Sequence, residues 1–256
     1  MASCPCIRDC DVGSKFPSQG RKPVNREYFY RIMRGDGGTD YEVYVNTRAL
    51  LACQKDFGQL CNRDELMFQI VHQSQELWMK LIAQTLLDIE DLIQARQTHR
   101  VLTLFRRVHE IQTQQIQGLS ILETMSPLDY QEIRRGLGRG SGQQSPGFRA
   151  LRQMAQPVWE SFTSQYLLKD DLTVENIYRS AYCHNDAYMV AEALAEFDEC
   201  FRHFRYRHLQ LVERTIGIAS KSLGGQAVAL LEEGVHEHFF PELWAIRSRI
   251  TEGRDD

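Results

Sequence analysis

Three groups of residues in this chain have the types and spacing that chemistry needs. The first runs from Phe68 through His72 to Glu76 and Lys80. It sets a histidine, three glutamines (Gln69, Gln73, Gln75) and a glutamate among Ile70, Val71, Leu77, Trp78 and Met79. A polar group buried without a partner costs roughly 1–3 kcal/mol, so a helix that keeps several in an apolar setting lines a site. The second is His208. It follows Phe201 by seven residues and Phe204 by four, and it precedes Leu211 and Val212 by three and four. That spacing puts its imidazole on the apolar stripe of a helix. The third is the pair Tyr130 and Arg134, four apart and so on one helix face, followed by Ser141-Gly142-Gln143-Gln144-Ser145.

Each group has a chemical and a plain reading. A neutral imidazole in a dry pocket suits the axial position of a haem iron; the plain reading of His208 is a packed core histidine. Arg202, Arg205 and Arg207 can meet the propionates of a porphyrin or form a solvated basic face. Arg134 offers a planar fork that fits a carboxylate, and the glycines after it let backbone N–H groups approach a ligand. Its plain reading is a surface arginine and a connector. His236-Glu237-His238 resembles a metal clip without an evident third ligand. His99, His109, His184 and His203 are expected at the surface or at helix ends.

The elements that position these residues read as helices nearly throughout. One is expected from Thr39 or Asp40 to about Gln54. The next is capped by Asn62 and runs to about Ala95, with Leu66, Ile70, Leu77, Leu81, Leu86, Leu87 and Leu92 at helical spacing. Thr98 to Arg100 break it, and a helix follows over 101–124. Ser126-Pro127 opens a short helix over 128–135, since proline suits the first helical position. Residues 136–147 are glycine-rich and irregular. Further helices are expected over 148–166, 173–182, 185–218, 226–234 and 240–251. No alternating strand and no repeat is evident. The expected fold is all-α, a single-domain bundle of long antiparallel helices over residues 25–256, after a disordered tail over 1–24.

Composition narrows the classes. With 256 residues, 43% of them hydrophobic, the chain can bury a sizeable core. A net charge of −4 argues against a nucleic-acid partner. No window approaches ~18 consecutive apolar residues, and the first residues lack the apolar region of a signal peptide; no membrane association is expected and a cytoplasmic protein is. Seven cysteines do not make a disulfide framework. Cys53, Cys61, Cys183 and Cys200 are expected as reduced core thiols, and Cys4, Cys6 and Cys10 fit no common zinc spacing.

The chain resembles the tryptophan 2,3-dioxygenase family of haem proteins. The matching blocks, in order, are Tyr41-x-x-Tyr44 with Leu50-Leu51-Ala52-Cys53-Gln54, and Phe68-x-x-x-His72-Gln73-x-x-Glu76-Leu77-Trp78-x-Lys80. Then come Leu122-Glu123-Thr124-Met125-x-Pro127-x-x-Tyr130 through Arg134 with Ser141-Gly142-x-Gln144-Ser145, and Arg207-His208-x-x-x-Val212-Glu213-Arg214-x-Ile216-Gly217. The tail is Phe240-Pro241-Glu242-Leu243-Trp244-x-x-Arg247-Ser248. The resemblance implies an all-α homotetramer with one haem b per subunit, O2 and an indole amino acid as substrates, and N-formylkynurenine as product. It implies that His208 is the ligand to the haem iron and His72 the catalytic histidine that bonds the indole N–H. Phe68 would wall the indole, Arg134 would pair with the substrate carboxylate, and Tyr130 would line the same pocket. Ser141 and Gly142 would belong to the loop over haem and substrate, and Tyr41 and Tyr44 would reach into a neighbouring subunit's pocket.

Two stretches depart from the family pattern. Where the family has Gly-Thr-Gly-Gly, with a threonine at the substrate ammonium, this chain has Ser220-Lys221-Ser222-Leu223-Gly224-Gly225-Gln226, and Ser222 can substitute as the hydroxyl. Gly138-Arg139-Gly140 replaces a stiffer approach to the Ser141-Gly142 loop. Both touch the substrate's amino end and the lid. They leave open a monooxygenase that turns a tryptophan or methyltryptophan into an oxindole, and a non-catalytic haem binder.

Overall fold

A computed structural model describes residues 25–35, 37–138, 140, 142–180, 184–218, 220 and 234–253. The chain divides into two compact units, one ending at Cys53 and the other beginning at Gln54.

In the first unit, Asn25 caps α1 (Arg26–Arg34) by accepting from the Tyr28 N–H. Thr39 and Glu42 close a reciprocal capping box on α2 (Asp40–Val45). The single helix expected from Asp40 to about Gln54 is instead broken at Asn46, whose backbone is left-handed (φ 55°), and resumes as α3 (Thr47–Leu50). Asparagine tolerates that conformation better than most residues. None of these three helices buries a residue; Tyr28, Phe29, Ile32, Met33, Tyr41 and Tyr44 all stand exposed.

The second unit is built on four long helices. They are α4 (Glu65–Gln94), α5 (Thr98–Leu122), α7 (Pro146–Phe162) and α9 (Asp186–Ile216). Shorter ones are α6 (Pro127–Gly136), α8 (Val174–Arg179) and α10 (Pro241–Glu252). Among the described residues there is no strand. The all-α expectation holds, and the four long helices alternate in direction along the chain, with α4 beside α7 and α5 beside α9 as parallel neighbours. The Gln75 amide donates to the Gln115 carbonyl, and α4 and α5 are antiparallel. Glu76 meets Gly147 and Gln94 meets Ser161, so α4 and α7 run parallel. Thr98 meets Asp186, Gln112 meets the Phe197 carbonyl and Glu123 meets Arg207, so α5 and α9 run parallel too.

The main core lies between these helices. Ile82, Leu86, Ile89 and Ile93 of α4 pack on Phe105 of α5, Phe162 of α7 and Phe197 and Phe201 of α9. Burying each such side chain is worth about 1.5–3 kcal/mol. A second, smaller cluster joins Val71, Leu119, Leu122 and Leu211, with Phe68 and Phe204 packed against it.

Several expectations are corrected here. The buried face of α4 is Val71, Gln75, Met79, Ile82 and Leu86, whereas Ile70, Leu77, Leu81 and Leu87 are exposed. The break before α5 falls at Arg96, left-handed at φ 52°, and α5 already starts at Thr98. Cys53 and Cys61 are exposed and Cys200 half-buried, so none is a core thiol. Cys183, Cys4, Cys6 and Cys10, and the helix expected over 226–234 up to residue 233, lie outside the described residues. His109 is no surface residue: its ring is largely buried, with Nε2 3.2 Å from the Ala193 carbonyl and Nδ1 3.2 Å from Glu196.

Candidate functional site

Asn62 fixes the start of α4 and the seat of α6 together. Its side-chain oxygen accepts from the N–H groups of Asp64 and Glu65 (both 3.1 Å), and its amide donates to the Asp129 carbonyl (2.9 Å) and to Glu132 (3.2 Å). Ser126 caps α6, with Pro127 at its first position. One consequence is that Phe68 on α4 meets Tyr130 on α6, ring centres 6.2 Å apart. The His72 ring also lies against Phe68, ring centres 4.1 Å apart. Arg134 follows Tyr130 by one helical turn. Burial pushes the Tyr130 phenol's pKa up, and the Arg134 charge opposes that shift. Phe68, His72, Tyr130 and Arg134 therefore form one patch.

The state of His72 follows from its neighbours. Its Nδ1 lies 2.7 Å from the Phe68 carbonyl. A carbonyl only accepts, so Nδ1 carries the proton and the neutral ring presents Nε2 with a free lone pair. Burial among protein atoms pushes the His72 pKa down, and this outweighs the Phe68 carbonyl and the Glu76 charge. Yet the side chain is open to solvent. A ring densely surrounded and still reachable is the wall of a crevice.

His208 lies within electrostatic reach of His72. It projects from α9 beside Phe204, ring centres 6.4 Å apart. Burial, and after it the neighbouring His72, lower its pKa to about 4. His208 is thus neutral at ordinary pH. Among the described residues neither of its ring nitrogens has a hydrogen-bond partner. Gly142 approaches it closely: a Cβ there would stand 3.7 Å from Nε2. A neutral, unpartnered imidazole beside a stretch of backbone without a side chain has the chemistry that would hold a haem iron.

Phe68, His72, Tyr130 and Arg134 are therefore neighbours, as are Gly142 and His208, with His208 in electrostatic reach of His72. Ser141 and Ser222 lie outside the described residues. Tyr41 and Tyr44 belong to the unit that ends at Cys53, where they are 71% and 92% exposed. The three arginines near His208 are engaged elsewhere. Arg202 donates to the Val235 carbonyl and lies over Trp244. Arg205, 8% exposed, bonds the Glu237 carbonyl between the rings of Phe201 and Phe239. Arg207 pairs with Glu123 at 2.6 Å. His238, of the suspected metal clip, instead faces the fully buried Asp198 at 3.5 Å. A hollow of about 360 Å³ between Glu192, Glu196, Trp244 and Arg247 touches none of the predicted site residues, and Arg247 is already paired with Glu192 there. Two functional positions were not singled out from sequence as contacts: Asn62, legible only as a cap, and Glu76, whose partner is 71 residues away.

The model of the family described as tryptophan 2,3-dioxygenase matches residues 31–156. A tryptophan 2,3-dioxygenase of Myxococcus xanthus is 31% identical, over 84% of this chain and 91% of its own. This chain belongs to the tryptophan 2,3-dioxygenase family. The tryptophan 2,3-dioxygenases of Erythrobacter litoralis and Rhodococcus jostii are each 30% identical, over 82% of this chain and 98% and 91% of theirs. These tryptophan 2,3-dioxygenase relatives carry dioxygenase names, so the oxindole-forming alternative is not favoured. Among the described residues no helix of this family member is long and apolar enough to cross a membrane.

Proposed function

We propose that this member of the tryptophan 2,3-dioxygenase family is a haem-dependent enzyme that inserts both atoms of O2 into the indole of L-tryptophan to give N-formylkynurenine. The observation that carries the proposal is the clustering of Phe68, His72 and Tyr130, with ring centres 4.1 and 6.2 Å apart, near a neutral His208 that has the bare Gly142 backbone against its ring. His208 would hold the iron of haem b, with Gly142 leaving room beside it. Bound there, the haem supplies the activation of O2.

The chain's own residues do the rest. Nε2 of His72, with its proton held on Nδ1 by the Phe68 carbonyl, accepts a hydrogen bond from the indole N–H. It does not have to remove that proton, and its lowered basicity suits an acceptor. Phe68 lies beside the indole ring. Arg134 pairs with the substrate carboxylate at the edge of the patch, next to Tyr130. Ser141 and Ser222 complete the reading at the loop and at the substrate ammonium.

The same proposal includes self-association into a homotetramer. Tyr41 and Tyr44 stand on a unit with no buried residue in its helices, and α4 shows an exposed row of Ile70, Leu77 and Leu81 on one face. Such apolar exposure on a helical protein marks a surface that another chain covers. In this reading Tyr41 and Tyr44 of one copy enter the pocket of a neighbour.

The test is to reconstitute the protein with hemin, reduce it, and add O2 and L-tryptophan. A product heavier by two oxygen atoms, with the absorbance of N-formylkynurenine, is expected. One added oxygen would establish the oxindole alternative. Protein that stays colourless with hemin would refute the proposal.

A further inference from the structure

We infer that Glu76 is a positioning residue whose carboxylate locks the helix carrying His72 to the segment that brings Gly142 against His208. This rests on the function proposed above and extends it to a residue that touches neither haem nor substrate.

Glu76 follows His72 by one turn of α4. Its Oε2 accepts from the backbone N–H of Gly147, 3.1 Å away, in the first turn of α7. The N–H groups of a first helical turn have no partner within the helix and carry a partial positive charge, so a carboxylate brought from another helix fits that position. The contact is tight. A Cβ on Gly147 would lie 2.9 Å from Glu76 Oε2 and 2.6 Å from the Cβ of Met79, so glycine is what lets the α7 backbone reach α4.

From that point the chain runs back to the pocket in a few short links. Ser145 caps α7 by accepting from the Phe148 N–H at 3.0 Å, and its own N–H donates to the Gly142 carbonyl at 3.1 Å. The ring of Phe148 stacks on Phe201 of α9 at 5.4 Å, two turns before His208. Gly142 itself lies against the His208 ring. The start of α7 is thus pinned to α9 by an aromatic contact and to α4 by Glu76. Of these two anchors, Glu76 alone ties the His208 side of the pocket to the His72 side.

Loss of a charge-assisted hydrogen bond of this kind corresponds to roughly a tenfold or larger effect on an equilibrium. The experiment uses the full-length, haem-loaded protein with Glu76→Ala, Glu76→Met and Glu76→Gln. Methionine keeps the length of the side chain and removes the acceptor; glutamine keeps an acceptor oxygen and removes the charge. Hydrogen exchange of peptides spanning 142–150 is followed with and without haem, beside KM and kcat for L-tryptophan and the Soret spectrum. Expected are at least about tenfold faster exchange at Gly147 and about tenfold higher KM in the Ala and Met variants. Their kcat should change much less and their Soret band should stay intact. Glutamine should restore both exchange and KM to within about threefold of the wild type. Unchanged exchange in Glu76→Met, or unchanged KM despite faster exchange, would overturn the inference, as would a Gln variant as impaired as Ala. The exchange arm is read without turnover, so a wild-type protein that leaves tryptophan untouched would defeat the proposed function and leave the lock to be judged on its own.

Discussion

Gly147→Ala sets two effects of opposite sign against each other. Gly147 lies inside α7 with an ordinary backbone conformation, so alanine gains about 0.5–1 kcal/mol from helix propensity and a less flexible unfolded chain. Against this, the new methyl carbon would stand 2.6 Å from the Cβ of Met79, where ordinary contacts lie at 3.4–4 Å. The Glu76 carboxylate can swing away, but the Met79 Cβ is fixed to the α4 backbone, so the two helices must part by about 1 Å. Overpacking of that kind costs about 1–3 kcal/mol. The clash outweighs the gain, and a net loss of about 1–2 kcal/mol is expected. For a domain of this size that is a fall in Tm of about 2–8 °C. Gly136→Ala is the control: it too sits in a helix without a positive φ, and nothing lies within 4 Å of the new methyl, so its Tm should hold or rise slightly. Thermal unfolding of both variants as apoprotein, followed by circular dichroism, decides the matter. A Gly147→Ala protein as stable as Gly136→Ala would show that α4 and α7 do not approach as closely as described.

Arg134→Ala should raise KM for L-tryptophan by an amount on the order of 2–4 kcal/mol, by leaving the carboxylate unpaired, and an unchanged KM would remove Arg134 from the site. His208→Ala should abolish normal haem retention; a wild-type Soret spectrum in the variant would place the ligand elsewhere. The pKa of His208 is lowered to about 4 by burial and that of His72 is lowered too, so the unfolded chain takes up these protons first as pH falls. Apoprotein stability contributed by the two rings is present above about pH 6.5 and is lost as pH falls toward 4, by about 3 kcal/mol for His208. Urea unfolding at pH 7 and pH 4.5 should show a smaller loss in His208→Leu; equal losses would refute the assignment. Asp198→Ala removes the acceptor for the N–H groups of Phe239 (3.1 Å) and Phe240 (3.4 Å) and for the Trp244 indole (2.8 Å). At about 1 kcal/mol or more for each orphaned donor, Tm should drop by about 6–12 °C, and a change of less than 2 °C would count against this account of how α10 is held.

The helix faces that carry the candidate residues were legible because those residues sit at helical spacing on strongly patterned helices. His208 shares a stripe with Phe201, Phe204 and Leu211, and Tyr130 and Arg134 share a face of α6; the roles proposed for them came from the family resemblance and not from periodicity. Where two signals competed, the sequence misled. Along α4 the row Ile70, Leu77 and Leu81 is as apolar as the row Val71, Met79, Ile82 and Leu86, yet only the second is buried, with Gln75 inside it. Nothing local separates a face that meets α5 and α7 from one that stays open in a single chain. The turn at Arg96 was misplaced for a similar reason. Its left-handed backbone is held by a two-pronged pairing with Asp170 at 2.7 and 2.6 Å and by the Tyr166 ring beneath it, all from distant parts of the chain. Arg205 reads as part of a solvated face in sequence, and only α10 and the segment before it, packed over α9, reveal it as interior.

The parallel course of α5 and α9 has a bearing on how the protein is made. His72 and His208 are 136 residues apart in the chain, and the helix that bears the second can be laid beside α5 only after the whole crossover of α6 to α8 has been threaded. Contacts between such remote positions form slowly, because a large loop must close before they are rewarded. A ribosome-bound intermediate that has released α4 to α7 already holds His72 and lacks His208. If His208 holds the haem as proposed, iron porphyrin can be captured only once α9 has been laid beside α5.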